Sequence, residues 1–499
     1  MELAVQRIIL LGLIVVFLYL IRPDSFLHRM NMSDWRKREW GICFFTAAVT
    51  CLVAVYGCGI SDWWSTNGPD YQFQYEEMTE AVLDGHLYLN LEISPELASL
   101  ENPYDPFQRD EAGASFYWDH AFYKGHYYMY FGVVPVFLLF VPLKLLGITL
   151  LSYQATRIFV CGIILGMFFV FYEICKRMCP KIPLSAYLGI AVATSWISVW
   201  YAVKYPAMYC TAISGGICMA VWGFYFCYRG LVAEPFAKRS RGYVVLGALF
   251  SALTFGCRPT VGLFCLCLLP LLFAYFKACE QKKEFWKTLV LFCIPFLIVA
   301  VLLMLYNQAR FDHPFEFGQS YQLTTVDQHN YGENKFRWYQ CLNGLLFHFV
   351  QYEDISGEFP FIHHDGCFLL FPILFLGLRS FGLCRRNKAD RGMVKGLAPM
   401  IALSIVVISC YHVTWAPIMF RRYSMDFYFL MGFLVMFGAC GTLQQTENKA
   451  KTAFFITLLS VYTCIICFLL FFVKYDYSVA DLQPEVVERV KNLLMFWKK

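Results

Sequence analysis

Charge is the first thing this 499-residue chain lacks: Asp, Glu, Lys and Arg make up 15% of it, against about 25% in ordinary soluble domains. Hydrophobic residues reach 59% and mean hydropathy is +0.51, which excludes a soluble enzyme and makes the chain a membrane protein. A basic excess is missing too. The 41 basic and 36 acidic side chains leave a formal charge of +5 with no dense basic run, so no nucleic-acid partner is expected. The 21 cysteines form no ladder of spacings in a polar loop, which argues against a disulfide framework or a zinc ribbon. Cys464-Ile-Ile-Cys467 lies within an apolar segment and reads as two small buried hydrophobes. No small-residue cleavage site follows the first apolar run and Arg22 comes directly after it, so that run reads as a retained anchor. No internal repeat is visible.

What is present is a series of apolar stretches near the length of about 20 residues that a span requires. They cover residues 3–21, 41–60, 158–175, 183–200, 209–228, 242–256, 259–276, 288–306, 366–380, 396–411, 425–441 and 453–473. This predicts an all-α polytopic membrane protein with about twelve transmembrane helices. Residues 1–40 form an anchor helix and a basic cytoplasmic loop, 41–441 the transmembrane body with outer loops 61–157 and 307–365, and 442–499 the last span and a tail. Tyr127 to Leu151 is apolar but left uncounted. If it does not cross, every basic loop, from Arg36 to Arg38 through Lys282 to Lys287 to Arg379 to Lys395, falls on one side, which the positive-inside bias makes cytoplasmic. It is therefore read as a helix pair in the outer interface, broken at Pro135, Pro142 and Gly147. Both termini then lie outside, and the stripe Val486, Val487, Val490, Leu493, Leu494 predicts an amphipathic helix on the outer surface.

Nine of the ten histidines, all but His28, fall on this outer side, and function is sought there. In the first loop a helix is expected from Asp70, with Glu76, Glu77 and Glu80 on a solvated face. Asp70 suits a helix cap as well as a general base at the membrane surface. Trp118-Asp119-His120 and Lys124-Gly125-His126 crowd carboxylate, imidazole and ammonium together without matching an established metal motif, and hydrogen-bonded loop histidines are the plainer reading. In the second loop His363-His364-Asp365 is the candidate metal group, lacking a third ligand at a helical offset.

Arg258 interrupts about thirty-five apolar residues at Gly256-Cys257-Arg258-Pro259, and an arginine at membrane depth costs roughly 2.5–3.5 kcal/mol on insertion scales. It requires a cavity and a partner, or a snorkelling path to the interface. A guanidinium at the outer turn of a helical hairpin suits a phosphate. Arg310 and Arg422 open outward and carry the same logic, although Arg422 and Asp426, four apart, read first as an internal ion pair.

The ordered run "AVLDGHLYL", "NPYDPFQRD", "WDHAFYKGHYYMYFGVVPVFLLFVP", "GCRPT", "YNQARFDHPFEFG" and "RRYSMDF", spanning about residues 41–441, resembles the GT-C integral membrane glycosyltransferases. Protein mannosyltransferases and the lipid A aminoarabinose transferase are familiar members, and a bacterial group of predicted GT-C proteins is more similar still. The resemblance implies a plasma-membrane enzyme with its active site outside, a polyprenyl-phosphate sugar donor, an extracytoplasmic acceptor and the lipid bilayer as partners, and inverting single displacement. It implies an early loop aspartate as base, matched by Asp70 with Asp62 in competition, because familiar members tend to carry an Asp-Glu pair where Tyr71 follows Asp70. Arg258, Arg310 and Arg422, with Asp119, His120 and Lys124, become the phosphate- and substrate-binding candidates. A divalent metal ion is a candidate cofactor. A lipid-linked saccharide transporter and an inactive scaffold of the same fold are the alternatives, and only Arg258 offers the midplane charge that a transporter requires.

Overall fold

A computed structural model describes residues 2–61, 73–331, 338–352, 357–363, 366–381, 388–415, 421–474 and 478–495. Helix dominates, and the only sheet among the described residues is a two-stranded hairpin, Ala121–Tyr123 with His126–Tyr128. Ten described helices are long and apolar enough to cross a membrane: Leu3–Ile21, Lys37–Cys58, Ser152–Met178, Leu184–Lys204, Met208–Ala233, Pro259–Ala278, Lys282–Phe311, Asp390–Val413, Arg421–Gln445 and Lys449–Phe471. The other two expected spans are shorter helical segments, Ser240–Phe255 and Pro372–Phe381. The second is a chain of single turns resuming at Pro372, as a proline that removes a helical donor requires. The chain is a multi-pass membrane protein.

Residue chemistry sets the layering. Met208–Ala233 and Arg421–Gln445 are enclosed by other helices, whereas Leu3–Ile21 leaves Leu13 and Val15 about two-thirds exposed, a surface suited to lipid. Close packing in the interior uses small residues. A Cβ on Gly247 would come within 2.6 Å of the Cys227 backbone nitrogen, so the helices Met208–Tyr228 and Ser240–Phe255 touch almost backbone to backbone there.

The outer segment departs from expectation in two places. Its helix is described over Gln74–Leu83, with Phe73 at the N-cap position, and Asp70, the expected start, lies outside the described residues. Its glutamates are engaged, and only Glu80 is exposed as expected: Glu76 accepts from the Ser152 backbone N–H at 2.6 Å and hydroxyl at 2.9 Å, and Glu80 pairs with Lys144 at the surface. The stretch expected to be a helix pair begins instead as the second strand of the hairpin. Lys124 and Gly125 both have positive φ, 47° and 74°, the two-residue turn geometry that matches strand twist, and it carries Tyr127 and Tyr128 into pairing. One broken helix follows, Val136–Leu145, after Pro135, and Gly147 at φ 79° ends the segment.

At the chain's far end, Pro484–Leu494 is helical, with Val486, Val487 and Val490 packed against the body. The Arg7 guanidinium donates to the Asn492 carbonyl. The two ends of the described chain therefore lie together.

Candidate active site

The outer segments meet each other before they meet the helices. Asp119 N–H donates to the Leu323 carbonyl at 3.0 Å, Leu323 N–H to the His120 carbonyl at 2.9 Å and Phe122 N–H to the Tyr321 carbonyl at 2.9 Å. The buried Arg109, from the "NPYDPFQRD" run, ties the Pro103 and Thr324 carbonyls together. Below this seam the chain passes directly over the Gly256-Cys257 break: Val134 N–H donates to the Gly256 carbonyl at 2.9 Å. A Cβ on Gly132 would lie 2.3 Å from the Cys257 carbonyl oxygen. Only glycine allows that approach, and the approach places Arg258 beside the outer segment.

The result is a cavity of about 800 Å³ lined by Asp119, Arg258, Arg310 and Arg422, by tyrosines including Tyr130, Tyr209, Tyr306, Tyr411 and Tyr423, and by Asn307, Gln322 and His412. Four sequence-predicted residues thus share one wall-to-wall space although they lie up to 303 positions apart, from 119 to 422. Two do not line it. His120 is fully buried behind Asp119, its Nδ1 2.9 Å from the Trp118 carbonyl and its Nε2 3.4 Å from Glu77. Lys124, at the hairpin tip, pairs with Asp312 at 2.7 Å on the surface. Asp62, Asp70, His364 and Asp365 lie outside the described residues, and His363 is not part of the lining.

Each lining charge has a different setting. Asp119 is the only carboxylate among the described lining residues. It sits in the left-handed region at φ 59°, and accepts from the Tyr209 hydroxyl and from Gln322 Nε2, the latter at 2.8 Å. Burial pushes its carboxyl above the usual range, against the opposing pull of the Tyr209 hydrogen bond and the Arg422 guanidinium. Arg258 is neutralised by Asp426, with Nε 3.0 Å from Oδ2 and 3.2 Å from Oδ1. Thr260 donates to the same carboxylate at 2.6 Å, and His412 Nε2 stands 2.9 Å from it. The expected Arg422–Asp426 pair is therefore replaced by one across 168 residues. The reason is local: Arg421–Ser424 is a 3₁₀ turn before the α-helix begins at Met425, so the i,i+4 alignment of an α-helix is lost. Arg422 instead lies over the Tyr209 ring at 4.1 Å.

Arg310 has neutral partners. It is 4% exposed, donates to the Met129 carbonyl at 2.7 Å and to Asn307 Oδ1 at 2.9 Å, and lies over the Tyr306 ring at 3.9 Å. Its Nε has no acceptor among the described residues. A buried guanidinium so placed is a ready anion site. Among the described residues no three His, Cys, Asp or Glu side chains come together to hold a metal ion.

No protein-family model matches the chain, and no curated protein is similar to it in sequence. Solved structures are. The Archaeoglobus fulgidus oligosaccharyltransferase in its apo form is 13% identical with a TM-score of 0.50, over 87% of this chain and 56% of that one. The likeness is one of fold, shared with the aligned part of that enzyme. The oligosaccharyltransferase AglB of the same archaeon, in complex with an inhibitory peptide and a dolichol-phosphate, aligns at a TM-score of 0.49 and 13% identity over the same shares, 87% and 56%. A further crystal form of the enzyme, with zinc and sulfate, aligns at 0.48 and 12% identity over 85% and 53%. The chain spans a little over half the length of these enzymes.

Sequence reasoning missed Tyr209, Gln322, Tyr423 and His412. Only His412 carried a signal of the kind that marked Arg258, a titratable side chain inside an apolar run.

Proposed function

We propose that the protein is a membrane glycosyltransferase that moves a sugar from a polyprenyl-phosphate donor to an extracytoplasmic acceptor by inverting single displacement. The observation that carries this reading is Arg310: a buried guanidinium with neutral partners, facing a cavity that a second arginine, Arg422, also lines. The cavity is large enough for a sugar phosphate, and its wall of tyrosines offers hydroxyls and ring faces to a sugar. Fold-level likeness alone would not assign a reaction.

In this reading Arg310 and Arg422 hold the phosphate, and Arg258, already balanced by Asp426, shapes the wall next to it. Asp119, anchored by Tyr209 and Gln322, accepts from a sugar hydroxyl. The acceptor hydroxyl loses its proton to Asp70, with Asp62 as the competing base, as its oxygen attacks the anomeric carbon from the face opposite the phosphate. The phosphate leaves with the bonding electron pair, and the guanidinium groups, fixed before the reaction, stabilise the charge it gains. The product is inverted. The acceptor side faces the exterior, in keeping with the distribution of basic loops.

The test is transfer of labelled sugar from a polyprenyl-phosphate donor by the purified protein in nanodiscs, with Arg310→Leu beside the parent. Loss of donor binding and turnover in a folded Arg310→Leu supports the reading. Export of an intact lipid-linked saccharide across proteoliposomes without sugar transfer establishes the transporter instead.

A further inference from the structure

We infer that His412 supplies the proton that neutralises the departing phosphate. This inference rests on the glycosyl-transfer reading above. His412 is 2% exposed and lines the cavity. Its ring stacks on Tyr423 with centroids 4.8 Å apart and planes 7° apart. The Arg258 and Arg422 guanidinium carbons stand 5.3 Å and 5.2 Å from that same tyrosine ring. Three cationic or protonatable groups thus gather around one side chain that lines the cavity. Asp426 sits behind the imidazole, 2.9 Å from Nε2, and no described residue holds Nδ1. A carboxylate on one ring nitrogen fixes the ring and favours a proton on that nitrogen, leaving the other to exchange a proton with a ligand.

The chemistry of the donor creates the need. A polyprenyl-phosphate sugar is a phosphodiester with one negative charge. When the bond between the anomeric carbon and the phosphate oxygen breaks, its electron pair goes to that oxygen and a second charge appears. His412 in its imidazolium form transfers its Nδ1 proton to that oxygen, which leaves a monoanionic lipid phosphate and a neutral imidazole. The acceptor's proton goes separately to the base, and His412 takes a proton from water when the lipid phosphate departs. The charged and titratable groups around His412 are Asp426, Arg258, Tyr411, Tyr423 and the neighbouring His348.

Two measurements on the full chain in nanodiscs test this. In the first, His412→Gln, which keeps polarity but cannot carry the proton, lowers kcat with a polyprenyl-phosphate sugar about 10²-fold, within the span of general acid catalysis. KM stays close to the parent value, and the fall in rate at rising pH disappears. In the second, the parent protein carries ¹⁵N-labelled histidine, and added polyprenyl phosphate raises the pH at which the His412 ring titrates; this needs no folded variant. Parent-like kcat and pH profile in a folded His412→Gln, or a His412 titration unmoved by a polyprenyl phosphate that binds, overturns the inference and leaves the glycosyl-transfer reading standing. A parent protein that neither binds polyprenyl phosphate nor transfers sugar overturns both.

Discussion

Separating the structural role of Arg258 from any role toward a ligand calls for two substitutions. Arg258 and Asp426 are 3.0 Å apart with side chains 18% and 0% exposed, so Arg258→Met strands a buried carboxylate. Removing one partner of such a pair costs about 3–5 kcal/mol. Thr260 and His412 still face Asp426, which places the expected loss near 3 kcal/mol. Adding Asp426→Leu removes the stranded charge, and replacing both ions by apolar groups is often neutral. What stays lost is the acceptor for Thr260 and for His412, about 2 kcal/mol in all. Denaturant unfolding in detergent measures all three variants, and sugar transfer by the same samples measures function. The expected outcome is an unstable single variant, a double variant within about 2 kcal/mol of the parent, and turnover still impaired in the double because the cavity wall has lost a cation and His412 its carboxylate partner. A stable single variant refutes the assigned pairing, and full turnover in the double variant limits Arg258 to holding the fold.

Glu76, pushed up to about 7 by burial beside Ser152, has a folded pKa above its unfolded value near 4.3. Its contribution to stability is therefore fully present below about pH 4 and is lost as pH rises through 7; Glu76→Gln should flatten that part of the melting-temperature profile, and an unchanged slope between pH 5 and 8 contradicts the assignment. Asp70→Asn should reduce sugar transfer about 10²- to 10⁴-fold with donor still bound while Asp62→Asn does little; the reverse result moves the base to Asp62. Single cysteines placed at Ile148 and Arg391 in a cysteine-free background should label from opposite faces of the membrane, the first from outside, and labelling from one face overturns the topology.

How much of this was legible in the sequence depended on the range of the interaction. The long spans were, because burying about twenty apolar residues leaves a continuous signal, and Arg258 was, because a charge in such a run has few places to go. Its partner was not: Asp426 is 168 residues away, and the nearer arginine, Arg422, misled because a 3₁₀ turn changes the register. The hairpin at Ala121–Tyr128 was hidden inside an aromatic, membrane-like stretch, and only the Lys124-Gly125 turn could have shown it. Asp119 stood out as part of a cluster, but its neighbours Tyr209 and Gln322 come from a span and from the other outer segment, contacts that no local pattern encodes.

In the proposed function the cavity holds the phosphate of a lipid-linked sugar at Arg310. The most direct measurement is a cryo-electron microscopy structure of the full chain in a nanodisc with a phosphonate analogue of a polyprenyl-phosphate sugar, which cannot be cleaved. The phosphonate is expected within hydrogen-bond reach of the Arg310 guanidinium, about 2.7–2.9 Å between nitrogen and oxygen, with the sugar toward Asp119 and Tyr209. A phosphonate bound away from this cavity, or a cavity filled by the sugar with Arg310 still turned to Met129 and Asn307 alone, contradicts it.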